Sequence, residues 1–438
     1  MSSFDWVRWQ DRLRHSLWVR EGAGWWNGLR ARAQRSRVSA LAHDCRALDL
    51  AESKLLEVVA RARIMPQLAD VPLLRKLVAG LPRYRESLPT QPGLTRSLLL
   101  KAPTEGGEKG VLLLYFEYNW VRLLLGLSDA ELKWLGQRYD LILAASWSPT
   151  DYAALALAVA TLPDGAWLQP ANRAEVAKLT AFHPNLRLLD SLACDWVNPD
   201  FYQPKPFAER SIDLLMIANW GKFKRHWDFF AALTQLPKDL RVVLIGQKEG
   251  GRTTASIQQE AKRIGVPQHL EMHESLTIEQ VTAMQCDAKV SVLTSRREGG
   301  CVAAVESLFA GCALAMRADA HVGSRAHINP QTGALLRPGK MAEDLMALLQ
   351  RAGDLRPREW AIENISCQQT TAKLNAALKA QAEAEARPWT HDLVLANWRP
   401  HPTFAHPAEQ EQMRPAYEEL HQRFSEVFPA DLCRESWR

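Results

Sequence analysis

The order of apolar and amphipathic segments predicts an α/β protein of two doubly wound, Rossmann-like domains facing a cleft, with helical additions before and after them. From Gly110 onward, short runs apolar on both faces alternate with helical stretches, the pattern of parallel strands covered on both sides. The proline-bearing segment "DWVNPDFYQPKPFAERS" interrupts this alternation once, and a second series of the same texture follows. At 438 residues the chain also exceeds what one hydrophobic core usually supports. The divisions read as 1–95, a basic Trp-rich helical region; 96–205, a first α/β domain; 206–355, a second; and 356–438, helices that pack back on the body.

Each element has its own signal. In the first 37 residues eight arginines and three acids interleave with Trp6, Trp9, Trp18, Trp25 and Trp26 at helical intervals. Two fates fit such a segment: the tryptophans pack on the body while the arginines are solvated, or the helix lies on an anionic membrane surface. "AESKLLEVVARARIM" is a further amphipathic helix. The first series runs strand "GVLLLYFEY", helix "NWVRLLLGL", strand "YDLILAASW", helix "PTDYAALALAVATL", then short strands "GAWLQP" and "NLRLLDSL" around "RAEVAKLTAF". The second alternates strands "IDLLMIAN", "LRVVLIGQ", "HLEMHES", "AKVSVLTS" and "CALAMRA" with helices "HWDFFAALTQL", "TASIQQEAKRIG", "IEQVTAMQC" and "CVAAVESLFAG". Beyond residue 355 the texture is helical, interrupted by Pro388, Pro400, Pro402 and Pro407.

The totals exclude several classes. With 47% apolar and 24% charged residues the chain is neither disordered nor fibrous. A net charge of +5 from nearly even numbers of both signs gives no ground for nucleic-acid binding. Cys45, Cys194, Cys286, Cys301, Cys312, Cys367 and Cys433 are odd in number and lack ligand spacing, so they read as reduced thiols. No secretory h-region and no apolar stretch of about 20 residues is found, so the expected location is the cytosol. His226, His269, His273, His321 and His327 are scattered and read as structural, with His321 bordering the cleft.

Chemistry concentrates in "LTSRREGGCVAAVESLFAGCALAM". A strand ends at "RREGG" and a helix begins near Gly300 or Cys301, so the amides of Gly300, Cys301 and Val302 face the cleft as an anion site that Gly299 and Gly300 leave open. Glu306 lies near the buried side set by Val302, Val305, Leu308 and Phe309, where a charge costs about 2 to 5 kcal/mol unless paired or hydrogen-bonded. Sugar hydroxyls are suitable donors to Glu306 and to Glu298. A basic cluster, "NWGKFKRHW", stands between the first strand and first helix of the same domain.

From about Ile212 to Gly353 the chain resembles the donor-binding domain of retaining GT-B glycosyltransferases of the family 4 type, whose two glutamates separated by seven residues match Glu298 and Glu306. The resemblance implies that Glu298 orients the donor sugar and Glu306 holds the nucleotide ribose. It also implies two cations on the donor diphosphate. Arg225 stands at the family's lysine position, but Trp220 occupies its arginine position, so the second charge falls to Lys222 or Lys224. The catalytic set is then Glu298, Arg225 and Lys224, with Glu306, Gly299, Gly300, Cys301, Val302 and Lys222 binding donor.

Glu117, Tyr118 and Asn119 replace the glycine-rich loop of relatives and are the acceptor candidates. The chain contains no Asp-x-Asp, so neither an essential metal nor a cofactor is expected. The implied function is retaining transfer from a nucleotide-sugar donor to a carbohydrate or lipid-linked acceptor in bacterial surface polysaccharide or lipopolysaccharide assembly, with the Trp-rich start as a peripheral contact on the inner face of the membrane. The competing reading is a GT-B shell that binds nucleotide sugar, or a partner, without transfer. An epimerase on the same scaffold fits the paired glutamates less well.

Overall fold

The computed structural model describes residues 3–88, 97–162, 164–398 and 402–428; Pro400 and Cys433 lie outside them. The first helices are Ser3–Arg14 (α1), Leu17–Ala33 (α2), Arg37–Leu50 (α3), Lys54–Ile64 (α4), Val71–Gly80 (α5) and Pro82–Ser87 (α6). The first sheet comprises Ser97–Lys101 (β1), Gly110–Tyr115 (β2), Tyr139–Ala144 (β3), Ala166–Gln169 (β4) and Leu186–Leu188 (β5). Between these strands run Glu117–Gly126 (α7), Asp129–Arg138 (α8), Tyr152–Thr161 (α9) and Val176–Thr180 (α10). The second unit contains Ile212–Ile217 (β6), His226–Leu233 (α11), Val242–Gly246 (β7), Thr254–Ile264 (α12), Leu270–Glu274 (β8), Ile278–Cys286 (α13) and Ala288–Leu293 (β9). It closes with Val302–Phe309 (α14), Ala313–Arg317 (β10), Gly333–Leu336 (β11) and Met341–Arg351 (α15). Pro357–Ile365 (α16), Cys367–Ala384 (α17), Ala396–Trp398 (β12), Pro402–Phe404 (β13) and Pro407–Arg423 (α18) follow.

The chain therefore forms two parallel, Rossmann-like sheets, each covered on both faces. In the second, all neighbours are parallel in the order β11-β10-β9-β6-β7-β8. Strands step outward from β6 in one direction, then return to its other side at β9, so the topology reverses between these two strands. Loops leaving such a point diverge and open a crevice at the carboxyl ends of the strands.

The first sheet reaches its double cover differently. Its order is β1 to β5 in chain sequence, with only β1 antiparallel. The crossover helices share one face, where Leu112, Leu114 and Leu168 pack with Trp120, Leu155 and Leu179 and with α3 to α5. The opposite face, carrying Leu113, Tyr115, Ile142 and Trp167, is packed by Leu374 and Leu378 of α17. The Cys367 amide pins the start of α17 to the Val197 carbonyl at 3.0 Å. From α18, the Tyr417 hydroxyl accepts the Leu99 amide at 2.7 Å.

Three local readings change. "SLLLK" is an edge strand, "DAELKWLGQR" is a helix closed at its start by a Ser128–Glu131 capping box, and the strand begun at Gly110 ends at Tyr115, where Phe116 turns at φ 65°. The Trp-rich start differs most from packing on the body. All five tryptophans are exposed, from Trp25 at 37% to Trp18 at 89%. Among the described residues no helix is long and apolar enough to cross a membrane.

Because α17 completes the first sheet, truncating its buried Leu374 to alanine is expected to destabilise the first domain by about 2 to 5 kcal/mol. Denaturant unfolding followed by hydrogen exchange in β2 and β3 checks this; protection of those strands unchanged by Leu374→Ala would contradict it.

Candidate functional site

The two loops at the topological reversal meet. After β6, the fully buried Trp220 donates its indole N–H to Glu274 Oε2 at 2.9 Å, above Gly246, where an added Cβ would stand 2.6 Å from the ring. Hydrogen bonds from Thr254 and Trp220 pull Glu274 down to about 2. The place of the family's arginine is thus built into the core and offers no cation to the crevice.

Five residues on, the chain turns sharply. Arg225 adopts the left-handed conformation at φ 57° and stands just before α11. The Thr294 hydroxyl, at the end of β9, donates to the carbonyls of Lys224 at 2.8 Å and Arg225 at 3.1 Å, which ties the first loop to the second. Lys224 Nζ then reaches Glu298 Oε2 at 2.6 Å, with the two side chains 11% and 9% exposed. Burial opposes the ammonium charge, and the Glu298 carboxylate helps outweigh it, so the Lys224 pKa lies above its ordinary value. Glu298 Oε1 is buried with no hydrogen-bond partner among the described residues. Glu298 is therefore held first by an ammonium, a partner its sequence context did not reveal.

The second loop is fixed by its backbone. The Glu298 amide donates to the His321 carbonyl at 3.1 Å, and the carbonyls of Gly299 and Gly300 accept from Gly323 at 2.7 Å and Ser324 at 3.0 Å. Cys301 is left-handed at φ 56° before α14 begins at Val302. Among the described residues the amides of Gly299, Gly300 and Cys301 have no acceptor. Glu306 lies half-buried in the second turn of α14, beside the fully buried Val305 and Phe309.

The glycines are also required by the contact between the two units. A Cβ on Gly299 would fall 1.8 Å from the Ser146 carbonyl oxygen, and one on Gly300 would fall 2.7 Å from Cys194 Cβ. Their missing side chains let the second domain close onto the first. Glu117 supports this contact from the other side: fully buried, it accepts the amides of Ser146 and Trp147, each at 3.0 Å, and the Ser146 hydroxyl. Burial pushes its pKa up to about 7. Asn119, also fully buried, donates to the Tyr115 carbonyl, and half-buried Tyr118 stacks on Phe116 at 5.4 Å. The structure thus places Glu117 under the domain seam and Asn119 in a local bond to the end of β2, both buried.

Arg225 faces the N-terminal helices. Its Nε donates to Asp228 at 2.7 Å and its guanidinium pairs with Asp11 of α1, while Arg317 shares Asp228 at 2.6 Å. Burial lowers the Arg225 pKa. In front lies a cavity of ≈ 820 Å³, roofed by α1 and α2 and lined by Asp11, Arg14, Arg20, Asp49, Lys222 and Arg297. Lys222 is exposed there, away from the Lys224–Glu298 pair. Arg297 pairs with Glu52 at 2.8 Å, and Arg20 holds the same carboxylate. Burial and these arginines hold His15, on the cavity wall, down to about 4, so it is neutral near pH 7. Sequence reasoning missed Asp11 and Arg297; Arg297 is next to the glutamate motif, whereas nothing in α1 marked Asp11 as facing inward.

Cys194, Asp195 and His327 are the one group of metal-ligating types that converge among the described residues. They are bonded to one another, with His327 Nε2 2.8 Å from Asp195 and the Cys194 thiol donating to Asp195 at 3.5 Å.

Residues 198–364 match the family model described as glycosyl transferases group 1. The match covers less than half of the chain. It contains both loops of the reversal and all of α14. Solved structures similar to this chain include sucrose-phosphate synthase from Thermosynechococcus elongatus, at 15% identity and TM-score 0.49, covering 63% of this chain and 74% of that one. Anabaena HepE in complex with UDP and glucose has 14% identity and TM-score 0.47, over 61% and 78% of the two chains. The pneumococcal O-GlcNAc transferase GtfA in complex with UDP and GlcNAc has 15% identity and TM-score 0.44, over 57% and 54%. No curated protein matches the chain.

The seam between the two units sets two expectations. Gly299→Ala is expected to lower stability by about 1 to 3 kcal/mol, because the Ser146 carbonyl must move aside; thermal melting checks it. The raised Glu117 pKa means that the folded state binds its proton more tightly than the unfolded chain. The associated stability is present below about pH 4.5 and is lost as pH rises through about 7, by about 3 kcal/mol. Glu117→Gln should flatten the pH dependence of stability in that window relative to the parent.

Proposed function

We propose that the protein moves a sugar from a nucleoside diphosphate sugar to an acceptor, with retention of configuration, in the crevice between its two α/β units. One observation carries the reading. Lys224, Glu298 and the open amides of Gly299 to Cys301 meet at the reversal of a Rossmann-ordered sheet, inside the stretch that matches group 1 glycosyl transferases.

Charge that grows on the leaving diphosphate needs fixed cations and dipoles, which act strongly in a water-poor site. Lys224, Arg225 and the amides before α14 supply them, with Cys301 and Val302 at the helix start. The buried Glu298 Oε1 receives a hydroxyl of the donor sugar, and Glu306, one helical turn further, receives the ribose. Asp11 holds Arg225 until the diphosphate takes its place. No protein nucleophile is assigned, and the leaving diphosphate accepts the acceptor proton. These cations carry the leaving-group charge without a metal. The acceptor enters the roofed cavity beside Lys222 and Arg297; we assign it to the class the resemblance implies, an intermediate of a bacterial surface polysaccharide or lipopolysaccharide.

A second reading, a shell that binds nucleotide sugar without transfer, is favoured by Trp220 in the place of a cation and by the bonds of Arg225 to Asp11 and Asp228. Melting of the full chain with UDP-, GDP-, ADP- and dTDP-sugars separates the two. A donor at a hundredfold excess over its Kd should stabilise the fold by about 2.7 kcal/mol. Donor hydrolysis or transfer should fall about a hundredfold to a thousandfold in Lys224→Ala. Binding without turnover, unchanged by Glu298→Gln, would establish the shell; binding of none of the four would remove both readings.

A further inference from the structure

The large apolar side chains that the fold leaves exposed are concentrated in one place. Apart from Leu55, Val58 and Phe223, all the exposed ones among the described residues sit on α1 and α2. On α2, Trp18, Trp25, Trp26 and Leu29 recur at helical spacing along one face, with Trp18 89%, Trp26 61% and Leu29 56% exposed. On α1, Trp6 and Trp9 stack with ring centroids 4.8 Å apart, and both are exposed. The core would have taken such residues had it been able to, and it draws from these two helices only small or polar groups such as Ala31 and Asn27.

Among the residues of α1 and α2 whose side chains are described, the charges around this face have one sign. Arg12, Arg30 and Arg32 are exposed on these helices. The acids of the same helices whose side chains are described are turned inward: Asp11 pairs with Arg225, and Glu21 accepts the amides of Glu52 at 3.0 Å and Ser53 at 3.1 Å. Tryptophan at the boundary of an apolar layer, with arginine beside it, is the composition that binds the headgroup region of anionic lipid.

We propose that the outer face of α1 and α2 is a docking surface for an anionic lipid bilayer. The inner face of α1 carries Asp11 against Arg225. A docked bilayer would therefore lie about one helix diameter, ~10 Å, from the roofed cavity. An acceptor held in the lipid surface would then be presented to that cavity without leaving the membrane. The surface itself stands on exposure and charge alone and does not depend on the donor reading.

Co-sedimentation of the full chain with phosphatidylglycerol and with phosphatidylcholine vesicles tests the proposal. Binding to phosphatidylglycerol is expected, weakening as salt is raised, with little binding to phosphatidylcholine. The double variant Trp18→Ser with Trp26→Ser should bind at least about tenfold more weakly. Arg30→Glu with Arg32→Glu, at positions that contact no core, should lose binding as well and decides the matter if the tryptophan variant melts early. Absence of binding to phosphatidylglycerol, equal binding to both lipids, or binding undiminished in both variants overturns the proposal. So does a dimer that forms in solution and is broken by Trp18→Ser with Trp26→Ser, because a second copy then owns the face. UDP-sugar melting shifts measured on the same variants report separately on the donor site.

Discussion

The ion pair of Lys224 with Glu298 fixes the crevice. Each side chain comes from a different loop, and each loop leaves a different strand at the reversal of the second sheet. Either charge left alone in that position would cost several kcal/mol, so the loops hold each other in register or neither charge is tolerated. The Thr294 hydroxyl, bonded to two carbonyls of the facing loop, adds a neutral tie at the same junction. Two residues in left-handed backbone, Arg225 and Cys301, stand immediately before α11 and α14 and aim both helix starts at one space. A rigid arrangement of cation, carboxylate and open amides results before any ligand arrives.

The same constraint explains how the domains are joined. Glu117 is buried just beyond β2 of the first sheet, at the start of α7, where it organises the backbone at Ser146 and Trp147. That backbone in turn meets Gly299 with no room for a side chain. A line of contacts therefore runs from the first domain's carboxylate, through one peptide, to the loop that carries Glu298. Above it, Glu52 joins Arg20 of α2 to Arg297, so the helical roof is fastened to the second domain as well as to the first.

Much of this was legible in the sequence. Runs such as "AKVSVLTS" and "LRVVLIGQ" are too short and too evenly apolar for surface helices, and the glutamates of "REGGCVAAVE" stood out because charge is costly beside a buried helix face. What could not be read was partnership across distance. The spacing of Lys224 and Glu298 along the chain carries no trace of their contact, and Trp220 gives no sign of its bond to Glu274. Polar residues after a strand look alike whether they face solvent or fold under it, so Glu117 and Asn119 resembled surface groups until burial placed them. The edge strand at Ser97–Lys101 was overlooked because an antiparallel neighbour before the alternating series has no period of its own to announce it.

The cover that α17 supplies to the first sheet bears on how the chain matures during translation. Strands β2 to β5 emerge early, yet Leu113, Ile142 and Trp167 keep an uncovered apolar face until residues beyond the second domain have left the ribosome. The second sheet, whose last covering helices α15 and α16 follow β11 directly, is complete sooner. Assembly thus runs against the order of synthesis: the later domain closes first, and the earlier one waits for a segment made after both.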